Sequence, residues 1–271
     1  MDSLVIFPQG NLGEDDFIAV KDIDTVKFWS GASGNLAKMS NLFGLEIPIR
    51  GPKSNSVSQM DRFKSVEHAM QSTKLEKDAV YFLHGNAPFG SFEFLRKHPD
   101  CNALVSILFP KSKHIIAAGG DPFAAKTGIG YWYNKGMDGI LAKMLVKEET
   151  SMKIVTAAKV GKIDSSFKKF RMDTVKLRGG GVFNTEMRNP ETWHRVLSQK
   201  FTKNKYLGHV LRNTKGKRLI EFVRGKHAAS NHWGGKIIPG KFNGNACWKL
   251  VGGNTMGLYI ERVRAHMLSC E

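Results

Sequence analysis

The chain has little of what marks a membrane, secreted or metal-stapled protein. Its 271 residues include three cysteines, Cys101, Cys247 and Cys270. They are far apart and odd in number, so they form neither a disulfide framework nor a metal-ligand spacing. Reduced thiols in a cytoplasmic protein are the expectation. No apolar run approaches the roughly eighteen residues of a bilayer-crossing helix, so no membrane partner is expected. The opening MDSLVIFPQGNLGEDD has no basic n-region and turns acidic within a dozen residues. That differs from a secretory signal or an Arg-rich transit peptide. Internal repeats and low-complexity tracts are absent too. His68, His227 and His232 form no recognisable ligand constellation, so no metal or other cofactor is expected.

Acidic residues are the other shortage. The chain carries 24 Asp and Glu against 41 Lys and Arg, a formal charge of +17 and a pI near 9.8. Such an excess raises the local concentration of anionic partners, and nucleic acid is the usual one because phosphate neutralisation supplies most non-specific affinity. Charge alone says nothing about chemistry. Hydrophobic content of 41% is ordinary for a globular protein, and the length permits a substantial core.

KSNSVSQ (53–59) reads as a loop, followed by a helix from about 66 to 79. A second helix begins near Lys135, with Ile140, Leu141, Met144 and Leu145 as its apolar stripe. Residues 150–180 crowd Lys153, Lys159, Lys162, Lys168, Lys169, Arg171, Lys176 and Arg178 into a weakly periodic segment ending in RGGG. This reads as a basic arm or insertion rather than core. A third helix is signalled at NPETWHRVLSQKF, with Asn189 as N-cap and Pro190 at the first helical position. Trp193, Val196, Leu197, Lys200 and Phe201 share one of its faces. KRLIEFVRG (217–225) alternates like a strand. NTMGLYIERVRAHML closes the chain as a helix capped by Asn254, with Met256, Tyr259, Ile260, Val263 and Met267 as its stripe. The expected class is α+β, predominantly helical.

SVEHAMQSTK (65–74) carries the most chemistry. At 100° per residue, Glu67, Gln71 and Lys74 fall within about 60° of one another, while Val66, Ala69, Met70 and Thr73 occupy a separate apolar face. Ser65 as N-cap puts Glu67 in the first turn, where the helix dipole favours a carboxylate. An anionic Glu suits a general base, or a group stabilising an oxocarbenium ion. The bland alternative is an ordinary exposed polar face. Glu221 shares a strand face with Leu219 and Val223, so it is paired, at an edge, or tuned for function. HWGG (232–235) offers Trp233 and backbone that a ligand can approach closely, unless Trp233 is a core anchor. GGNTMG (252–257) places glycines and an Asn before a helix, where backbone N–H groups can meet phosphate or ribose.

In order, the chain shows MSNLF (39–43), SVEHAMQSTK, AAKTG (124–128), VLSQKF (196–201), LIEF (219–222), HWGG and GGNTMGLYIERVR (252–264). This series resembles the NADAR superfamily, which includes the YbiA-like N-glycosidases. The resemblance runs from about residue 28 to 264 and is broken between roughly 130 and 185. It implies one YbiA-like domain over 1–271, with a core of about 28–130 and 185–268 and a basic insertion of about 131–184. It also implies hydrolysis of a base–ribose C–N bond. Family members act on ADP-ribose attached to guanine or on phosphoribosylamino-pyrimidine intermediates of riboflavin synthesis. By motif position, Glu67, Lys74 and Glu221 are the implied catalytic residues. Asn41, His68, Gln71, Trp233, Gly234 and Asn254 are the implied substrate-binding ones.

A carboxylate could stabilise the sugar cation while activating water, or Lys74 could capture an opened sugar as a Schiff base; the sequence leaves both open. Two departures stand out. Gly235 replaces a frequent Asp, and the Trp that usually precedes the K-F helix has no clean counterpart in Trp132 or Phe183. The basic charge favours ADP-ribosylated guanine in DNA, RNA or a free nucleotide over the riboflavin intermediate. A lapsed, basic nucleic-acid-binding protein of the same fold is the third reading.

Overall fold

A computed structural model describes residues 4–5, 19–20, 25–28, 34–51, 63–74, 83–84, 87–88, 90–126, 128–169, 175–176, 182–183, 185–223, 228, 230–242 and 245–270. Among them helix far outweighs strand, and the strands form small two-stranded sheets, so the chain is α+β and predominantly helical. No described helix is long and apolar enough to cross a membrane. Two compact units emerge: Asn41–Asn204, and Met1–Ser40 together with Lys205–Glu271. Neither boundary coincides with an edge of the basic segment 131–184.

In the Asn41–Asn204 unit, the helix Val66–Gln71 continues as a 3₁₀ turn, Ser72–Lys74. Residues 75–80 of the expected helix lie outside the described residues. Ser65 caps it as expected, its hydroxyl accepting from the His68 N–H at 3.1 Å. Val66, Ala69 and Met70 are wholly buried. The helix Asp138–Leu145, whose Leu141 and Leu145 are buried, packs across this one. Gly139 makes the approach possible, since a Cβ there would lie 2.6 Å from the Glu67 Cβ.

The helix Pro190–Lys203 also packs on the 66–71 helix. Its N-cap is Asn189, accepting from the Glu191 N–H at 2.9 Å, and all five expected face residues are buried. Its C-cap Asn204 pins the 41–50 segment, donating to the Ile47 carbonyl at 3.2 Å and accepting from the Ile47 N–H at 3.0 Å. The same segment runs against residues 63–65 through a bridge between Ile49 and Phe63. Together with the Glu67 N–H donating to the Asn41 carbonyl, these ties hold residues 41–50 beside the start of the 66–71 helix.

The reading of residues 150–180 as an arm rather than core is overturned for their described part up to Lys169. Glu148–Lys159 is a helix, and Ile154, Ala158, Ile163 and Phe167 are buried. Lys153, Lys159, Lys162 and Lys168 are exposed, and between them runs a sparse apolar face on the i, i+4 spacing. Residues 170–174 and 177–181, with the RGGG run, lie outside the described residues.

In the other unit, Thr25–Phe28 pairs in parallel with Arg218–Glu221. A bridge from Phe222 to Gly235 leads on to the hairpin Lys236–Phe242 and Asn245–Val251. The helix Thr255–Ser269 packs on the Arg218–Glu221 strand, burying Met256, Ile260, Val263 and Met267 while Tyr259 stays half-buried. The strand does not alternate cleanly: Leu219 and Ile220 are both buried, so both of its faces are covered. Glu261 ties helix to strand, accepting from the Leu219 N–H and from Arg218, each at 2.7 Å.

Candidate active site

The implied site residues divide between the units. Asn41, Glu67, His68, Gln71 and Lys74 belong to one, and Glu221, Trp233, Gly234 and Asn254 to the other.

In the first group the expected polar face exists, and it is not an ordinary exposed one. The Gln71 amide donates to Glu67 Oε1 at 2.8 Å. Gln71 is 4% exposed and the Glu67 side chain 14%. The Glu67 N–H donates to the Asn41 carbonyl at 3.0 Å, so MSNLF abuts the carboxylate's own backbone. Lys143 brings its ammonium to 4.0 Å from Glu67 Oε1. Lys74 lies within electrostatic range of both. Burial pushes its pKa down from 10.5 to about 8; the Glu67 carboxylate opposes that fall and Lys143 adds to it. At pH 7 about a tenth of Lys74 is then the free amine, against well under a hundredth for an exposed lysine.

Two buried side-chain acceptors, Gln71 Oε1 on the amide that meets this carboxylate and Asn41 Oδ1, have no hydrogen-bond donor among the described residues. The Gln71 orientation is fixed by chemistry: a carboxylate can be met only by the NH₂ side of the amide, which turns Oε1 away. His68 departs from the group. Its ring is buried edge-on to Phe63 at 4.8 Å, and a Cβ on Gly90 would come 3.0 Å from its Nε2, so it is packed into the core.

Sequence reasoning missed Lys143, and also Asp138 and Gly139, which fix the helix opposite Glu67. Asp138 is buried and accepts from the Phe92 N–H at 2.9 Å, capping the Phe92–Lys97 helix from 46 residues away. Burial pushes it up to about 6, against the pull of that hydrogen bond and of Lys64, with Glu93 adding to the rise. No local pattern signals these roles, because each depends on a long-range crossing.

In the second group, HWGG and GGNTMG are braided together. The N–H groups of Gly253, Asn254, Thr255 and Met256 donate to the carbonyls of Asn231, Gly234, His232 and Trp233 respectively. The expectation that these N–H groups meet phosphate or ribose is therefore overturned: they are already engaged. The glycines serve close packing instead. A Cβ on Gly252, at φ +102°, would meet the Ala228 carbonyl at 2.4 Å, and one on Gly257 the Leu219 carbonyl at 2.1 Å.

Asn254 is not a side-chain N-cap either. It sits in the left-handed region at φ 46°, buried, with Oδ1 accepting from the Glu221 N–H at 3.0 Å and Nδ2 donating to the Leu219 carbonyl at 2.9 Å. It clamps the strand that carries Glu221. The Glu221 carbonyl accepts from the Gly235 N–H at 2.9 Å, and its side chain is half-buried. Trp233 is half-buried and edge-on to His232 at 5.1 Å. Gly235, where an Asp was expected, has a packing reason. A Cβ there would lie 2.8 Å from Leu250 Cδ1 and 3.0 Å from the Val251 carbonyl.

A groove of about 570 Å³ in the Asn41–Asn204 unit is lined by Ala103, Ile107, Met152, Ala157, Val160 and neighbours. None of the implied site residues lines it, and its lining is too apolar for the chemistry in question. No group of three His, Cys, Asp or Glu among the described residues could hold a metal ion. No protein-family description, curated protein or solved structure matches the chain.

Proposed function

We propose that the protein is an N-glycosidase of the NADAR type that removes ADP-ribose from guanine bases of nucleic acid or nucleotides. The observation that carries this reading is the Glu67 carboxylate. It is mostly sheltered, oriented by Gln71 and flanked by the ammonium groups of Lys74 and Lys143. Glycosidic cleavage needs a fixed anion beside a sugar carbon that becomes cationic, and a base for the incoming water.

In the direct route, the C1–N bond breaks with its electron pair going to the guanine nitrogen, which takes up a proton. Water adds to C1 and gives its proton to Glu67. In the covalent route, the C1–O4 bond breaks with O4 taking up a proton and C1 left as an iminium to the guanine nitrogen. The neutral Lys74 amine adds to C1, its proton passes to the guanine nitrogen, and the guanine amine leaves as the C1–Nζ iminium forms. Water then hydrolyses the iminium and regenerates the lysine. The half-buried Lys74, with its lowered pKa, supports the second route, and the sheltered carboxylate serves in either.

The formal charge of +17 supports a nucleic-acid-borne substrate over a small phosphorylated one. The test is parallel turnover of a guanine-ADP-ribosylated oligonucleotide and of a phosphoribosylamino-pyrimidine. Release of ADP-ribose from the first is expected. Cleavage only of the second would transfer the reading to riboflavin intermediates. Salt-sensitive oligonucleotide binding with no turnover would leave a binding protein. Borohydride added during turnover traps sugar on the protein if Lys74 attacks, and traps none if water does.

A further inference from the structure

The groove lined by the helices Cys101–Leu108 and Glu148–Lys159 shares no residue with the Glu67 face. Ile154 and Ala158 seat the second helix in the core, while Met152, Thr156 and Val160, spaced i, i+4 and i+8, share another face. Ala103 and Ala157 are short side chains among the larger Ile107, Met152, Val160 and Ile163, which leaves a trough. Met152 and Val160 are each 63% exposed, more than any other large apolar side chain among the described residues. Single apolar side chains in water are ordinary. Two that line one groove of about 570 Å³ mark a place where a ligand gains by burial.

The charge of this groove has an axis. Toward the start of the helix, Glu149 and Lys153 pair with one another and cancel. Past its end Lys162 lines the groove, exposed and without an acidic partner among the described residues. The next acid along the chain, Asp164, accepts from the Ser166 N–H at 2.6 Å. From Glu149 to Val160 the helical rise spans about 16 Å, so the groove is a short apolar channel with one uncompensated cation at its far end. An amphipathic helix carries charge along both flanks of its apolar stripe, which this surface does not complement. A single alkyl chain ending in an anion carries its charge at one end, and that pattern fits.

We propose that this groove binds a free single-chain anionic amphiphile, a medium-chain carboxylate, with its alkyl chain along Ala103, Ile107, Ala157 and Val160 and its head at Lys162. Met152, unbranched and flexible, adapts to an alkyl chain better than a branched side chain would. The Lys162 stem covers apolar surface while its ammonium meets the head as a point charge, which requires no fixed fork geometry. Burial of the chain supplies the affinity, and the length of the groove limits how many CH₂ groups count. The site does not depend on the glycosidase reading.

The experiment is calorimetric titration of the full chain with octanoate, decanoate, dodecanoate and tetradecanoate below their micellar concentrations, and with dodecyltrimethylammonium. Dodecanoate is expected to bind at a single site. Affinity should rise about two- to fourfold per added CH₂ and level off beyond about twelve carbons. The cationic head should bind about tenfold more weakly than dodecanoate. Lys162→Glu and Met152→Glu, both at exposed positions, should each weaken dodecanoate about tenfold with the urea midpoint unchanged. Lys111→Glu, at an exposed position outside the groove, should bind as wild type. Any one of four results would overturn the proposal: no saturable binding of dodecanoate at millimolar concentration, equal affinity for the cationic amphiphile, a rise that continues undiminished to tetradecanoate, or wild-type affinity in both Lys162→Glu and Met152→Glu. Cosedimentation with anionic phospholipid vesicles without binding of monomeric dodecanoate would also overturn it, and would make this face a membrane contact.

Discussion

The helix face at 67–74 and the braid of HWGG with GGNTMG are equally prominent as motifs, yet they treat their polar groups in opposite ways. At Glu67, the amide that meets the carboxylate leaves Gln71 Oε1 buried without a donor among the described residues, and the Lys143 ammonium comes no nearer to Glu67 Oε1 than 4.0 Å. In the braid, four consecutive backbone N–H groups and both ends of the Asn254 amide are matched internally. Unmatched capacity in a sheltered place marks where a ligand can gain by binding. Matched capacity marks a framework. A motif's strength in sequence does not tell these apart, and its hydrogen-bond accounting does.

The sharpest way to break this comparison is at Asn254. Replacing it with Ala leaves the Glu221 N–H and the Leu219 carbonyl unmatched and puts a Cβ-bearing residue without local hydrogen bonding at φ 46°. Together these should cost about 3–5 kcal/mol, measured by urea unfolding. Asn254→Gly removes the backbone strain alone and should recover about 1 kcal/mol of that loss. A stability near wild type for Asn254→Ala would mean that the braid is not the framework described.

A smaller effect is expected at Asp138, which positions the helix opposite Glu67. Its folded pKa of about 6 lies above the ordinary 3.8. Between those values the folded chain holds a proton that the unfolded chain has released. Stability therefore falls as pH rises through this window, and the deficit is complete above about pH 6. Asp138→Asn keeps an oxygen for the Phe92 N–H and removes the buried charge. Relative to wild type, the variant should gain about 2 kcal/mol between pH 4.5 and pH 7.5, read from denaturation midpoints. A difference that stays constant with pH would show that the carboxyl is ionised without penalty, and that Lys64 offsets its burial.

The parts of this organisation that were legible in the sequence are those written in local spacing. Ser65 and Asn189 as caps, the buried face of Trp193 to Phe201 and the stripe of the last helix all follow from residues within a turn or two of one another. Glu67 with Gln71 belongs to the same class, being an i, i+4 pair. What was not legible depends on distant crossings. Lys143 and Gly139 reach Glu67 only because two helices pack, and Asp138 caps a helix begun 46 residues earlier. Asn254 was read as a cap because its position fits one; the strand backbone competed for the same amide and won. The lysine-rich segment misled through composition, since Ile154 and Ala158 suffice to seat a helix whose other faces are solvated.

The measurement that bears most directly on the central claim pairs two readings on one variant, Glu67→Gln. ADP-ribose release from a guanine-ADP-ribosylated oligonucleotide and the urea midpoint are followed on the same samples beside wild type. Loss of the carboxylate from a sheltered, oriented position should lower turnover by about 10²–10⁴-fold, the range for a lost general base, with the midpoint unchanged. Turnover retained by Glu67→Gln, or lost only in proportion to a fallen midpoint, would contradict the assignment of Glu67 to the chemistry.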